Sequence, residues 1–334
     1  MKKILNDPAT FVEDMTEGIE LAYGDKVHFL DKDRRILVRT NPPKDKVAIV
    51  TAGGSGHLPV FLGYVGQGLL DGCAVGNVFA SPSAGKMEQM ITACDTGKGV
   101  LCLFGNYGGD KMNFEMACEG TEMEDVVTKM VLVRDDVASS PVKTAEKRRG
   151  VAGMVYAFKI AGAAAEEGRN LEGVAAAAEK ALANTRSMGA ALSPCIVPEV
   201  GTPSFHIEED QIEVGMGIHG EPGIEVRKMM TADELAQTLL DPILDELGRQ
   251  SGRVSVLVNG LGATPKEELL IFYRRVHQLL DELGIEIVMP HIGEYATSME
   301  MAGLSLSVMR LDEELEALLK APAASPFYTN LHLL

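Results

Sequence analysis

Fourteen of the chain's 35 glycines fall between Gly53 and Gly109, and a stretch so dense in glycine must be built from tight turns or from backbone that approaches something closely. Three β-branched runs punctuate the region, Lys46 to Thr51, Gly99 to Phe104 and Val126 to Val133. Each has the length and apolar character of a buried strand. Helix-like segments separate and follow them: Met87 to Ala93, Met112 to Glu119, and then Val151 to Glu167 and Leu171 to Ala183, the last two rich in alanine, the strongest helix former. Strand, glycine loop and helix in repeating order predict a parallel sheet covered by helices. Ligands of such sheets bind beyond the carboxyl ends of the strands, so function is expected in the loops leaving the first two runs.

The second half changes character. Gln211 to Gly217, Arg253 to Asn259, Ile285 to Pro290 and Leu304 to Arg310 read as strands, and Thr231 to Leu247 and Pro265 to Leu283 as helices. Leu269, Phe272, Val276, Leu279 and Leu283 make one apolar stripe on the second helix, predicting a face packed on a sheet. The segment Asn184 to Gly201 carries no strong pattern, and a boundary is expected there. At 334 residues and ~150 per domain, the expected fold is α/β with two α/β domains. The first, residues 1–185, is a three-layer sandwich with a mostly parallel sheet; the second, residues 186–334, is a smaller two-layer domain with a mixed sheet.

Charge narrows the function. Lys and Arg total 31 against 48 Asp and Glu, a net charge of −17, which disfavours a nucleic acid or an anionic membrane surface as partner. The uncharged stretch Thr51 to Leu70 is long enough to span a bilayer but holds His57, Pro59, Gln67 and six glycines, which argues against a lipid-facing helix. Asn6, Asp7 and Pro8 interrupt any leader-like apolar segment after Lys2 and Lys3, so a cytoplasmic location is expected. Cys73, Cys94, Cys102, Cys118 and Cys195 lack zinc-ribbon, CxxC or disulfide-framework spacing and read as buried thiols. No HExxH or similar metal spacing occurs, and no metal is expected.

Three loops hold the candidate chemistry. Ala52-Gly53-Gly54-Ser55-Gly56-His57-Leu58-Pro59 is neither a Rossmann fingerprint, a Walker loop nor a nucleophile elbow. It fits either a tight turn or a bare-backbone cradle for a small polar ligand, with Ser55 and His57 as functional side chains. Gly105-Asn106-Tyr107-Gly108-Gly109-Asp110 offers Asp110 either as a helix cap or as a general base. In Gly215-Met216-Gly217-Ile218-His219-Gly220-Glu221-Pro222-Gly223, the glycines beside His219 leave it little side-chain cover. That suits a turn, with Glu221 a surface charge, or a neutral imidazole that adds to a carbonyl. His28, His206, His277, His291 and His332 read as solvated or packed, Asp135 and Asp136 as a polar loop or cap, and Lys147, Arg148 and Arg149 as too short a basic run to imply an anionic partner.

Taken together, GGSGH at Gly53 to His57, GNYGGD at Gly105 to Asp110, KRRGVA at Lys147 to Ala152, GIHGEPG at Gly217 to Gly223 and NGLGATP at Asn259 to Pro265 resemble the dihydroxyacetone kinase K-subunit (DhaK) family. Their order and spacing match across essentially the whole chain. Gly293 to Arg310 resembles that family's final strand region. The resemblance implies a two-domain α/β subunit, usually a homodimer, that holds a short ketose as a covalent hemiaminal on His219. It further implies that Gly54, Ser55, Gly56 and His57 contact the ketose, and that Asp110 with His57 removes the hydroxyl proton during phosphoryl transfer. No cofactor is implied for this chain. ATP or ADP with Mg2+ is expected on a separate L-type nucleotide-binding subunit.

Three positions depart from the family pattern. Ala52 and Leu58 stand where it has a glycine and a glutamate, and Gly105, the remaining expected substrate-contact position, stands where it commonly has a lysine. Loss of that cation weakens the offset of charge developing on phosphate. The room gained at Leu58 and Gly105 favours erythrulose alongside dihydroxyacetone. A ketose kinase subunit is the expected function. The alternative is a non-catalytic ketose-sensing paralogue that co-activates a transcriptional regulator; retention of both His57 and Asp110 favours the kinase.

Overall fold

The computed structural model describes residues 2–331. Contacts gather the chain into two compact units, neither of them continuous in sequence. The first runs to Val133 and takes in Tyr156–Lys180 and the chain from Ala317; the second comprises Arg134–Val155 and Ala181–Glu316. A single cut near residue 185 does not describe this division. The reason is local: Asp136 bridges Ser187 in the second sheet, and the Ser187 backbone N–H donates to the Asp135 carbonyl at 2.8 Å. These bonds hold the segment after Val133 to the second unit.

The first unit begins with α1 (Phe11–Tyr23). Its six strands are β1 (Val27–Phe29), β2 (Ile36–Arg39), β3 (Ala48–Ser55), β4 (Gly72–Val78), β5 (Val100–Gly105) and β6 (Thr128–Val133), in the order β1-β2-β4-β3-β5-β6. The four from β4 to β6 are parallel, and β1 and β2 add an antiparallel edge. Alternate residues Ala48, Val50, Ala52, Val100, Cys102 and Phe104 pack with Met87, Met90 and Ile91 of α2 (Ala84–Cys94) and Phe114 and Ala117 of α3 (Gly108–Glu122). The intervening Ile49, Leu101 and Leu103 are fully buried too, as a parallel sheet covered on both faces requires. The alanine-rich α4 (Met154–Glu166) and α5 (Leu171–Ala183) follow as predicted.

The second unit is built on β7 (Thr185–Ala191), β8 (Gln211–Val214), β9 (Glu225–Lys228), β10 (Gly252–Gly260), β11 (Ile285–Ile287), β12 (His291–Gly293) and β13 (Gly303–Leu311). Their order is β11-β10-β13-β7-β8-β9, with β12 beside β10. The β10–β11 and β10–β12 pairs are parallel and the others antiparallel, the expected mixed sheet. Its inner face, including Val254, Val256, Leu306 and Val308, packs on α6 (Ala232–Leu247) and α7 (Lys266–Glu282). The predicted stripe on α7 is buried at Leu269, Phe272, Val276 and Leu279, while Leu283 is partly buried. Sequence patterning missed β7, an inner strand, because Thr-Arg-Ser-Met-Gly-Ala-Ala has one β-branched residue. Ladders to β13 and β8 override that poor propensity. A last helix, α8 (Glu313–Lys320), closes the series.

Among the described residues, no helix is long and apolar enough to cross a membrane. All five cysteines are free.

Candidate functional site

β3 and β5 are parallel neighbours, so the loops after them leave the sheet at the same edge. The next strand, β4, lies on the other side of β3. This is the reversal of strand order at which open α/β sheets bind ligands.

The first loop is tightly built. Gly54 lies against the main chain that follows β4: a side-chain carbon there would stand 2.8 Å from the Phe79 Cα and 2.7 Å from the Ala80 nitrogen. The Ser55 hydroxyl donates to the Gly76 carbonyl at 2.7 Å, tying β3 to β4. Gly56 turns the chain at φ 96°, delivering His57 to a site where it is 1% exposed. Its ring stacks on Phe79, centroids 4.8 Å apart, and meets the edge of Phe61 at 6.0 Å. Much of the bare backbone thus serves close packing around the imidazole. Leu58 lines a small cavity with Met15, Val60, Leu62 and Val75.

Gly105 ends β5 in register with Val133, and α3 starts three residues later. Tyr107 occupies the N-cap without a side-chain capping hydrogen bond, and Asp110 sits in the first turn, 6% exposed. A carboxylate there is favoured by the amides and dipole of the helix start. Asp110 is therefore a buried first-turn acid rather than the capping residue itself.

The second unit carries His219 in the turn after β8. Its Nδ1 is 2.8 Å from Glu221 Oε1, while its backbone N–H donates to Glu221 Oε2 at 3.0 Å. Burial pushes the Glu221 carboxyl up, but the His219 hydrogen bond and the charges of His219 and Arg149 outweigh it and hold the group at about 2. Arg149 Nη1 is 3.7 Å from Glu221 Oε2. The same guanidinium is gripped by Asp136, through Nε at 3.0 Å and Nη2 at 2.8 Å, and donates to the Gly215 carbonyl. Burial raises Asp136 to about 6, the Arg149 charge pulling the other way. An ionised carboxylate only accepts hydrogen bonds, so the proton on the His219 ring belongs on Nδ1 and the lone pair on Nε2.

Glu221, Arg149 and Asp136 are the residues that sequence reasoning passed over. The signal was an acid two residues from a glycine-flanked histidine, which spacing alone does not separate from a solvated charge. Arg148, next to Arg149, is buried and bonds Glu246 at 2.7 and 2.6 Å, and the Asp135 side chain accepts the Val151 and Gly153 amides just ahead of α4, both at 2.8 Å. Among the other histidines, His206 pairs with Glu208 at 3.0 Å and His291 is buried against Tyr295; His332 lies outside the described residues. Among those residues no group of three or more His, Cys, Asp or Glu is arranged to hold a metal ion.

A family model, the Dak1 domain, matches residues 17–327. The dihydroxyacetone-binding subunit DhaK of the PTS-dependent dihydroxyacetone kinase 1 of Listeria innocua serovar 6a is 45% identical over 315 residues, 94% of this chain and 95% of its own length. The L-erythrulose kinase of Pectobacterium atrosepticum is also 45% identical over 98% of this chain; the match covers only 56% of that enzyme. Among solved structures, the dihydroxyacetone kinase operon co-activator Dha-DhaQ superposes with a TM-score of 0.89 at 30% identity, over 96% of this chain and 99% of its own.

Proposed function

This chain belongs to the Dak1 domain family, and from that premise we propose that it is the ketose-binding subunit of a dihydroxyacetone-type kinase. The substrate is a short ketose, dihydroxyacetone or erythrulose, held covalently on His219. An L-type subunit that carries ATP or ADP with Mg2+ delivers the phosphoryl group, and the present chain works as a homodimer. The relatives support the substrate class, being named as a dihydroxyacetone-binding subunit and an erythrulose kinase. The word subunit in the first supports a division of labour in which the donor sits on another chain.

One observation carries the reading: the Glu221 carboxylate engages His219 Nδ1, which leaves Nε2 to attack a carbonyl carbon. A polyol such as glycerol has no electrophilic carbon and is rejected. On the bound sugar, Asp110 takes the proton of the hydroxyl that receives the phosphoryl group, with His57 assisting, and Gly54, Ser55, Gly56 and Gly105 border the ligand. The buried first-turn carboxylate and the aromatic packing of His57 support these assignments, because both hold a side chain in one place.

The test uses dihydroxyacetone labelled with carbon-13 at its carbonyl. Bound to the full chain, the labelled carbon is expected to leave the ketone region of the NMR spectrum for that of a tetrahedral carbon bearing nitrogen and oxygen. In His219→Ala it stays a ketone. Saturable binding to the wild-type chain with the carbon still trigonal overturns the covalent reading. The match to the co-activator favours a second reading, a ketose sensor without turnover. Phosphorylation of the ketose in the presence of an L-type partner separates the two.

A further inference from the structure

We infer that Glu221 is a positioning residue for His219: it fixes the ring tautomer whose Nε2 is nucleophilic and holds the positive charge the ring acquires when a ketose adds. This rests on the covalent reading above and names the group that makes His219 fit for it.

The argument starts from the two-point contact. One oxygen of Glu221 receives the His219 backbone N–H and the other faces ring Nδ1, so main chain and imidazole are set by one carboxylate. A carboxylate that merely closed the turn would need only the first contact. Arg149 reaches the oxygen that takes the backbone N–H and is itself immobilised by Asp136 and the Gly215 carbonyl, which keeps the second oxygen turned to the ring. Gly217 explains how the pair fits. A side-chain carbon at that position would lie 2.2 Å from Glu221 Oε2 and 2.5 Å from Arg149 Nη1; the carboxylate and guanidinium occupy the space that any other residue would fill.

The chemistry balances with water as the only co-reactant. The Nε2 lone pair forms the new C–N bond, the carbonyl π pair moves onto oxygen, and that oxygen takes a proton from solvent. The ring keeps its Nδ1 proton and ends cationic, facing the Glu221 carboxylate at hydrogen-bond distance. Carboxylates that orient metal-binding histidines contribute ~10- to 100-fold when removed, and an effect of that order is expected for a carboxylate that orients a nucleophilic one.

The experiment is nitrogen-15 NMR of the full chain labelled in its histidine rings, read beside the carbon-13 measurement. In the ligand-free wild type the His219 ring is expected to carry its proton on Nδ1. Glu221→Gln keeps the reach but loses the charge, and its amide cannot accept from both His219 donors. Ketose affinity is expected to fall ~10-fold or more, measured below the thermal midpoint of the variant, which is expected to drop with the lost charge contacts. Gly217→Ala, which leaves Glu221 chemically intact but displaces it, is expected to bring a similar loss. A wild-type ring protonated on Nε2 overturns the inference, as does a Glu221→Gln variant that forms the tetrahedral adduct with affinity within twofold of wild type. If the Gln variant does not fold, the wild-type tautomer decides alone. A trigonal carbonyl in the wild type defeats the covalent reading, and the tautomer still reports on Glu221.

Discussion

At the scale of single residues, the environment of His57 is held at a cost. Phe61 and Phe79 have φ of 73° and 59°, values that non-glycine residues rarely adopt and that cost ~1–3 kcal/mol each. Both of their rings pack on His57. Strain stored at the aromatic walls of one buried histidine is what a positioned functional group requires. Asp110 is separable from its structural surroundings in the same spirit. Asp110→Asn keeps size and hydrogen-bonding reach at the start of α3, loses ~0.3–1 kcal/mol of helix-dipole stabilisation, and cannot take a proton. Turnover with an L-type partner is expected to fall by ~10² or more while the tetrahedral adduct on His219 still forms. Phosphorylation rate and carbon-13 spectrum measured on one preparation check both halves; unchanged turnover would leave Asp110 a structural acid.

At the scale of elements, α4 shows how a strong local pattern conceals an interior charge. Its sequence Met-Val-Tyr-Ala-Phe-Lys-Ile-Ala-Gly-Ala-Ala-Ala-Glu is nearly all apolar, and the helix is legible from composition alone. Lys159 inside it is 1% exposed and donates to the Leu318 carbonyl of α8 at 2.6 Å. Burial lowers its pKa from 10.5 to about 8. The unfolded chain then binds more protons than the folded one between those values, so the lysine's penalty is full below pH 8 and is relieved as pH rises from 8 to 10.5. The downward shift corresponds to about 3 kcal/mol, set against ~1 kcal/mol for the lost hydrogen bond. Lys159→Met is therefore expected to be more stable than wild type by about 1–3 kcal/mol at pH 7, the gap closing by pH 10.5. Urea unfolding of both proteins at the two pH values checks this, and a gap that does not change with pH would contradict it.

At the scale of the whole molecule, the order of elements bears on whether this chain can hold a nucleotide by itself. The loop leaving β3 does not open a helix as phosphate loops do; it leads into a short turn at Leu62–Tyr64 and then β4. The helix that does follow β5 carries Asp110 in its first turn, a negative charge where a phosphate would have to sit. The chain by itself is thus expected to show no saturable ATP binding by calorimetry at micromolar concentration, and no ketose phosphorylation until an L-type partner is added; ATP binding to the purified chain would overturn this. The sequence alone determined the α/β class, the strands β3, β5 and β6, the apolar face of α7 and the glycine-marked loops around His57, Asp110 and His219. Those features depend on local periodicity and on residues with unusual backbone freedom, both readable within a few positions. Only the tertiary structure decided that β7 is an inner strand, that Arg134–Val155 joins the second sheet, and that Asp136, Arg149 and Glu221 converge on His219. Around His219 such pairings join residues up to 72 positions apart, from Arg149 to Glu221, and a charge shows its partner only when the fold has brought the two within a few ångströms.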